Sequence, residues 1–470
     1  CNEPTRVPVV KPWTVVALAV LCVCAGSPYA AEFAAPPSRP ALASVGGYQG
    51  SRYRPLRDGA VVEYSEDIAL SFAAPIVPAF SYSIRPATAS RVRIAGSRAI
   101  FTIRKVPGVR YTIAVGSAAR FHFTTRATVA MPRPAAQAAG AYRYGVLEHP
   151  FENSLAGPQA DRIADLLAAS GTRFVRLDFP GSDIEPTAGR YDFTRYDAML
   201  ELLARHGITA LPIVLQYAAP PWSTAGAGYP AVWLQPSEFA SYAAAVAAHL
   251  AGRFPNVKRI ELFNEPNIRK PNWWQDGNPQ YASDDGSSAA VYMRAAYAAI
   301  KAVDPKMEVV GPALASGGAH VDSRAFLTTM YANGCGTGRC WDILSVHNYD
   351  WRNPTFPVDR NVDARFDVYT DLQRIAMAHG EPKPTVMITE WGFSTDESPD
   401  GFDPRVQARY IGLGFNRYLA DPSIDGVVYV NLYTPDTNFF GYTALTNKDF
   451  TPMPGFAEFR AFALRARPRL

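Results

Sequence analysis

Two glutamates stand at the ends of short apolar segments that have the pattern of β-strands. Glu265 follows Leu262-Phe263-Asn264, and Glu390 follows residues 386–389. Hydrolysis of a glycosidic bond needs one carboxyl group that protonates the leaving oxygen and a second that attacks or stabilises the sugar cation. The two glutamates are therefore a candidate catalytic pair. The alternative is that they are ordinary charged residues at strand ends.

Strands and helices alternate from Tyr142 onward, which indicates a parallel α/β sheet. Amphipathic helices separate eight short, β-branched segments, the pattern of strands buried on both faces. Eight repeats favour a (β/α)8 barrel over a doubly wound sheet, and they place Glu265 and Glu390 at the ends of strands four and seven, where such barrels carry catalytic groups. The predicted strands are 144–147, 174–177, 211–215, 259–263, 308–311, 343–346, 386–388 and 427–430.

The region before the barrel divides into four parts. Residues 1–31 resemble a signal peptide, because Lys11 precedes an apolar run that is too short to span a bilayer securely; the alternative is a core helix. We expect a disordered linker over 32–47 and a second linker over 127–140. Between them, residues 48–126 carry period-two segments that predict a small β-sandwich, similar in pattern to immunoglobulin-like domains. We therefore expect a secreted or periplasmic protein with its catalytic domain at 141–470.

The cysteines agree with export. Three of the five lie in the predicted leader, which leaves 5 − 3 = 2, Cys335 and Cys340, in a glycine-rich segment that can close on itself. In an oxidising compartment these two should form a disulfide. The alternative is two free thiols; a zinc site is disfavoured because no second Cys or His pair stands at ligand spacing nearby.

Composition and motifs exclude several other classes of function. The chain has 470 residues, and a barrel of roughly 250–350 leaves room for a second module. The net charge is only +4 and the basic residues are scattered, so nucleic acid binding has little support. There is no HExxH or His-x3-His pairing, no Gly-x-Ser-x-Gly elbow and no phosphate loop. We therefore predict a carbohydrate substrate, no metal and no cofactor, and a monomer by default.

Three separated motifs resemble those of clan A glycoside hydrolases. They are Asn264-Glu265 on strand four, Glu390 on strand seven, and residues 175–179 followed by 184–193. Within the clan the chain most resembles family 39 and related exopolysaccharide-cleaving hydrolases, with family 5 next. The resemblance implies a retaining enzyme in which Glu265 is the acid/base and Glu390 the nucleophile. It also implies that Asn264 binds the sugar hydroxyl beside the anomeric carbon; a turn-stabilising Asn is the alternative.

Other side chains are candidates for holding the pair and the substrate. Arg176 could keep the nucleophile ionised, or it could make a structural salt bridge. His347 or Tyr349, at the end of strand six, could hold the nucleophile, and strict alternation along the strand would point both the same way. Sugar rings stack on aromatic side chains, so we expect Trp391 to form the floor of a cleft; loop packing is the alternative. The remaining aromatic candidates are Tyr217, Trp222, Trp273, Trp274 and Tyr433.

The leading hypothesis is thus a secreted retaining glycosidase that forms a covalent glycosyl-enzyme. A rival from another class is a non-catalytic carbohydrate-binding or scaffold protein on the same fold. A transglycosylase shares the intermediate and differs only in the acceptor. The sugar, its linkage and internal or terminal cleavage depend on loop shape rather than on these motifs.

Overall fold

The computed structural model describes most of the chain from residue 41 onward. The described residues are 41–49, 52–64, 66–76, 81–116, 119–127, 142–147, 155, 157–223, 232–268, 283, 285–316, 321–349, 368–433 and 442–465. The predicted signal peptide, nearly all of the linker over 127–140, and the candidates Trp273 and Trp274 lie outside these residues.

Within the part of the chain that the structure describes, nine strands precede the barrel and form two sheets. One sheet has the order β2-β1-β4-β7-β6 and the other β3-β9-β8-β5. All the pairings are antiparallel except that of β3 with β9. The strands are β1 (Leu42–Gln49), β2 (Arg52–Pro55), β3 (Ala60–Val62), β4 (Asp67–Phe72), β5 (Tyr82–Arg85), β6 (Ser90–Ala95), β7 (Arg98–Ile103), β8 (Arg110–Val115) and β9 (Ala119–Thr125).

The two sheets share a hydrophobic core that follows from period-two patterning. Alternate side chains point to one face of a strand, so Ile68 of β4 and Phe101 of β7 meet Ile113 of β8 and Phe121 of β9. Strands β4 and β6 to β9 lie within residues 48–126, the region in which period-two patterning predicts strands. The immunoglobulin-like assignment stays a prediction.

The first strand corrects the predicted linker over 32–47. β1 begins at Leu42, so residues 42–47 belong to the sheet. Two glycines of β1 permit close packing: a Cβ on Gly46 would lie 2.0 Å from the Tyr53 ring, and one on Gly47 would lie 1.8 Å from the Glu66 carboxylate. Glycine in a strand can mark such a close approach as well as a turn.

Eight parallel strands close into a barrel, as predicted. They are β10 (Tyr144–Leu147), β11 (Phe174–Phe179), β12 (Thr209–Val214), β13 (Arg259–Leu262), β14 (Glu308–Ala315), β15 (Ile343–His347), β16 (Val386–Trp391) and β17 (Ile424–Val430). The helices are α1 (Ala160–Ser170), α2 (Gly181–Ile184), α3 (Thr194–Arg205), α4 (Pro236–Arg253), α5 (Ser287–Val303), α6 (Ser323–Ala332), α7 (Val368–Ala378), α8 (Pro404–Ala420) and α9 (Pro454–Arg465).

Side chains of the barrel strands pack on two sides. Inward-facing residues such as Phe174, Met387 and Val428 fill the barrel, while alternate residues such as Val175 and Ile388 pack against the helices. This two-sided burial explains why the strands have continuous apolar sequences. It also places the carboxyl ends of all eight strands at one face of the barrel.

The predicted disulfide joins Cys335 and Cys340 between α6 and β15. The segment needs left-handed backbone at Gly334 and Gly338, with φ of 86° and 76°, which glycine adopts without steric cost. Both cysteines are buried. Among the described residues, no helix has the length and apolar character to cross a membrane.

Candidate active site

Glu265 and Glu390 both lie at the carboxyl-end face of the barrel. Glu390 belongs to β16, and Glu265 follows the last residue of β13 by three positions. Phe263 and Glu265 have positive φ values of 74° and 49°, conformations that side-chain-bearing residues rarely adopt. The Glu265 amide donates to the Ala313 carbonyl at 3.0 Å, which fixes this turn against β14. Backbone strain of this kind is concentrated at functional sites.

A β-bulge turns Glu390 into the barrel. Met387 faces the interior, so strict alternation would point Glu390 outward and Trp391 inward. The register of β16 shifts against both neighbouring strands between residue 388 and the end of the strand, and this pairs Glu390 with His347 of β15. Bulges re-aim side chains in this way beside active sites. The extra residue therefore sets the direction of the carboxylate.

Two side chains bind the Glu390 carboxylate directly. The Arg176 Nη1 donates to Oε1, and the Tyr349 hydroxyl donates to Oε2. Burial, together with the charge of Glu390, raises the pKa of Tyr349 well above its ordinary value, so its hydroxyl keeps its proton and remains a donor. Arg176 lies on β11, the second barrel strand, and Tyr349 follows β15, the sixth barrel strand.

Arg176 is fully buried and joins three side chains. Its Nε donates to Glu261, its Nη1 to Glu390, and its Nη2 to Asn264 Oδ1 at 3.0 Å. Burial by itself would lower the pKa of Arg176, but the carboxylates of Glu261 and Glu390 outweigh it and raise the pKa above its ordinary value. A permanent positive charge is therefore held beside Glu390 and Asn264.

His347 lies between the two glutamates. Its Nδ1 is 2.9 Å from Glu265 Oε1 and 3.5 Å from Glu390 Oε2. Burial lowers the pKa of His347 to about 4 in spite of the nearby Glu390 charge, so the ring is neutral at pH 7. Its Nε2 has no hydrogen-bond partner among the described residues, so we place the single ring proton on Nδ1, which faces both carboxylates.

The resulting site brings two carboxylates into close range. Glu265, His347 and Glu390 each offer a ligand atom within 4.8 Å of the others. The Glu265 side chain is 15% exposed and that of Glu390 only 7%, so Glu265 is the more accessible of the two. Within the described ranges, Glu265, His347 and Glu390 also form a group that could hold a metal ion. The Arg176 guanidinium already bonded to Glu390 opposes a second cation there.

Asn264 is fixed by four hydrogen bonds beside Glu265. Its backbone exchanges two bonds with the Gln216 side chain, at 2.9 and 2.7 Å. Its side-chain oxygen accepts from Arg176, and its Nδ2 donates to the Tyr217 hydroxyl at 3.2 Å. The amide is thus oriented before any ligand arrives. Of the predicted aromatic residues, Tyr217 has a hydrogen bond that links it to this network.

Trp391 corrects one prediction. It is fully buried and meets Phe393, Phe415, Tyr418 and Tyr429 edge to face, so it packs beneath α8 and cannot form the floor of a cleft. The β-bulge that turns Glu390 inward turns its neighbour outward. The role of Trp391 is therefore packing, as in the alternative, although its partners lie on α8 and β17 as well as in the loop.

The other described aromatic candidates lie in packed positions. Trp222 donates to the Glu185 carbonyl at 2.9 Å and meets Trp233 edge to face. Tyr433 is nearly buried and stacks on Phe450 with ring centres 4.0 Å apart. The binding of sugar by Trp222 and Tyr433 stays a prediction.

Two residues of the site escaped the sequence analysis. Glu261 is fully buried in β13 and pairs with Arg176, and Gln216 holds the backbone of Asn264. A signal existed for Glu261, because a carboxylate in the middle of a buried strand needs a cation or several hydrogen-bond donors. Gln216 follows the last residue of β12 by two positions and had no distinguishing context.

Comparisons with known proteins show what this chain is similar to. A glycoside hydrolase family 42 model, described as beta-galactosidase, matches residues 153–252. The GH39 enzyme from Xanthomonas axonopodis pv. citri aligns with a TM-score of 0.51 at 18% identity, over 69% of this chain and 67% of that one. The chain resembles the family 39 enzymes of glycoside hydrolase clan A. A search of curated proteins found no match.

Two further similar structures are enzymes that act on carbohydrates. A monomeric beta-xylosidase from Caulobacter crescentus CB15 aligns with a TM-score of 0.52 at 18% identity, over 70% of this chain and 69% of that one. An exo-beta-1,4-mannosidase from Opitutaceae bacterium strain TAV5 aligns with a TM-score of 0.50 at 17% identity, over 72% of this chain and 64% of that one. At these identities the likeness is one of fold.

Proposed function

We propose that this protein is a retaining O-glycoside hydrolase that works by double displacement. The observation that carries the proposal is the approach of the Glu265 and Glu390 carboxylates, in which one oxygen of each lies within 4.8 Å of one oxygen of the other. Retaining glycosidases hold their carboxyl groups about 5–5.5 Å apart, whereas inverting enzymes need about 6.5–9.5 Å to admit a water. The separation therefore favours direct attack by a carboxylate on the sugar.

The proposed first step uses both glutamates at once. Glu390 attacks the anomeric carbon while Glu265 gives its proton to the leaving oxygen, so the glycosidic bond breaks and a glycosyl ester forms. In the second step Glu265 takes a proton from water, and the oxygen of that water displaces Glu390 from the sugar. Both carboxyl groups then return to their starting states. The greater exposure of Glu265 suits the group that must meet the leaving group and then water.

The neighbouring side chains divide the remaining work. Arg176 and Tyr349 orient Glu390 and stabilise its negative charge before attack. The His347 Nδ1–H orients Glu265 through the Oε1 atom, which leaves the other oxygen available for proton transfer. In this proposal Asn264 binds the hydroxyl beside the anomeric carbon, and its hydrogen bonds with Arg176 and Tyr217 support that role because they orient its amide.

The test is hydrolysis of activated aryl glycosides followed by proton NMR. The panel contains β-xylosides, β-mannosides and β-galactosides, because the similar proteins include a beta-xylosidase, an exo-beta-1,4-mannosidase and a beta-galactosidase family. We expect the first-formed product to keep the anomeric configuration of the substrate. Glu390→Gln should lose turnover, and Glu265→Gln should lower kcat by about 10²–10⁴-fold on substrates with poor leaving groups.

Glu201→Gln is the matched control, because that exposed glutamate lies on α3 and pairs with Arg253. Inversion of configuration would refute the double-displacement route. Binding of oligosaccharides without turnover, with both glutamates intact, would instead identify a non-catalytic carbohydrate-binding protein.

We also propose that the protein is exported. We further propose that the domain formed by β1 to β9, here called the two-sheet domain, is an immunoglobulin-like accessory domain of the barrel. The leader pattern in residues 1–31 and the Cys335–Cys340 disulfide support export, because disulfides persist in oxidising compartments. Amino-terminal sequencing of the protein recovered from culture medium or periplasm tests it. An uncleaved amino terminus in the cytoplasmic fraction would count against export.

A further inference from the structure

Two arginines of the two-sheet domain bind one segment of the barrel. This segment, residues 392–403, connects β16 to α8 and begins two residues after Glu390. It lies at the catalytic face, because it leaves the carboxyl end of a barrel strand. Residues 394–400 are partly or fully exposed, so the segment presents surface beside the site.

Arg104 of the two-sheet domain binds the backbone of the segment at three points. Its Nε donates to the Asp396 carbonyl at 3.0 Å, and its Nη2 donates to the carbonyls of Thr395 and Phe402 at 3.3 and 3.4 Å. Thr395 and Asp396 lie in the first half of the segment, and Phe402 lies near its end. The Arg104 guanidinium therefore fixes the distance between these two parts of the segment.

Arg91 adds a second polar contact. Its Nη1 and Nη2 bind the two Asp400 carboxylate oxygens at 2.7 and 3.0 Å. A bidentate pair of this kind fixes orientation as well as distance. Arg91 lies on β6 and Arg104 directly follows β7, so adjacent strands of one sheet supply both arginines.

Apolar contacts continue the interface. Tyr64 of the two-sheet domain is buried within the barrel's hydrophobic cluster, with its ring edge on Tyr410 of α8. Phe393 and Phe402, at the two ends of the segment, pack on the same Tyr410 ring at 5.1 Å. A domain that served only as a spacer would not take part in the hydrophobic core of the barrel. This domain contributes the Tyr64 side chain to that core.

The segment is also connected internally and to the next loop. The Phe402 amide donates to the Ser394 carbonyl at 2.8 Å, and the Thr395 amide and hydroxyl both donate to the Tyr442 carbonyl at 2.8 Å. A Cβ on Gly401 would lie 1.8 Å from the Asp396 carbonyl oxygen, so the turn is tight. The arginines therefore hold a loop with one specific shape.

We propose that the two-sheet domain is a working part of the glycosidase site, in which Arg91 and Arg104 hold segment 392–403 in the shape that the substrate-binding cleft requires. The inference rests on the proposed function, because the segment borders a substrate-binding cleft only if the protein acts on a glycoside. Both arginines act through the segment and are positioning residues. Their loss acts mainly on substrate binding, since Glu390 itself is fixed by Arg176 and Tyr349.

The first test measures amide hydrogen exchange in the full chain and needs no substrate. Arg104→Ala should speed exchange at Thr395 and Phe402 by about tenfold or more, because their hydrogen bonds open more often. Arg98→Ala is the control: Arg98 lies on the same sheet and donates to the Tyr48 hydroxyl, away from the segment. Equal exchange in the wild type and Arg104→Ala would overturn the proposal.

The second test separates KM from kcat. On oligosaccharides, Arg104→Ala and Arg91→Asp should raise KM by about fivefold or more while kcat stays within about twofold, because uniform binding is lost. The charge reversal Arg91→Asp with Asp400→Arg should restore KM, which a general loss of stability would not do. An unchanged KM in a variant whose segment exchanges faster would overturn the proposal. If the wild type cleaves no glycoside, the proposed function fails, while the exchange experiment still decides whether Arg104 holds the segment.

Discussion

Removing the charge of Arg176 should destabilise the protein because it leaves two buried carboxylates without their cation. Arg176 and Glu261 are completely buried, and the Glu390 side chain is only 7% exposed. Breaking a buried ion pair by deleting one partner costs about 3–5 kcal/mol of stability. Arg176→Met keeps most of the side-chain length and removes the guanidinium. We expect it to lower the free energy of unfolding by at least that range.

A double variant tests whether uncompensated charge is the cause. Glu261 Oε1 has no hydrogen-bond partner among the described residues, so Arg176 is the group that compensates this carboxylate. Glu261→Gln in the Arg176→Met background removes one of the two uncompensated charges. It should therefore recover about half of the loss, roughly 1.5–2.5 kcal/mol. Glu261→Gln alone should destabilise, because Arg176 then loses a partner.

The assay is urea unfolding at pH 7, followed by tryptophan fluorescence and by circular dichroism. Coincident transitions by the two probes establish two-state behaviour, which a multi-domain chain does not guarantee. Arg205→Met is the control, since this arginine is 62% exposed and its ion pair with Asp161 is 4.0 Å long. A double variant no more stable than Arg176→Met would refute the reasoning, because the loss would then come from packing.

Three further outcomes are expected. Burial lowers the pKa of His347 to about 4, below its unfolded value near 6.5, so the unfolded state binds the extra proton and stability falls by roughly 2–4 kcal/mol as the pH drops from 6.5 to 4. His347→Gln should flatten this dependence in unfolding measured at pH 7 and 4.5, and an unchanged slope would contradict the lowered pKa. Tyr349→Phe should lower kcat by about 10–100-fold in steady-state assays, because a hydrogen bond to the charged Glu390 contributes about 1.5–3 kcal/mol; a change in KM alone would argue against that role. Replacing both Cys335 and Cys340 with serine should cost about 2 kcal/mol in urea unfolding, the value for so short a closed loop, with kcat retained; full stability would show that the bridge is dispensable.

Hydrogen-bonding and packing partners distant in sequence were less predictable than the strands. The eight barrel strands could be predicted from the sequence because burial on both faces requires a continuous apolar segment, and turn residues lie at the ends of each segment. The partners of Arg176 were not, since they lie 85 and 214 residues away and depend on closure of the barrel. The contacts of Arg104 with segment 392–403 were even less predictable than the partners of Arg176, because backbone carbonyls have no sequence signature.

Local sequence patterns were enough to predict the closed barrel, the cysteines that pair, and the positions of Glu265 and Glu390 at strand ends, because periodicity and turn chemistry are local properties. The directions of the side chains depend on long-range contacts. A bulge in β16 turned Glu390 inward and Trp391 outward, against the alternation of the strand. The register between neighbouring strands set His347 level with Glu390. A one-residue shift reverses every later side chain, and the energy that fixes it comes from contacts between strands rather than within them.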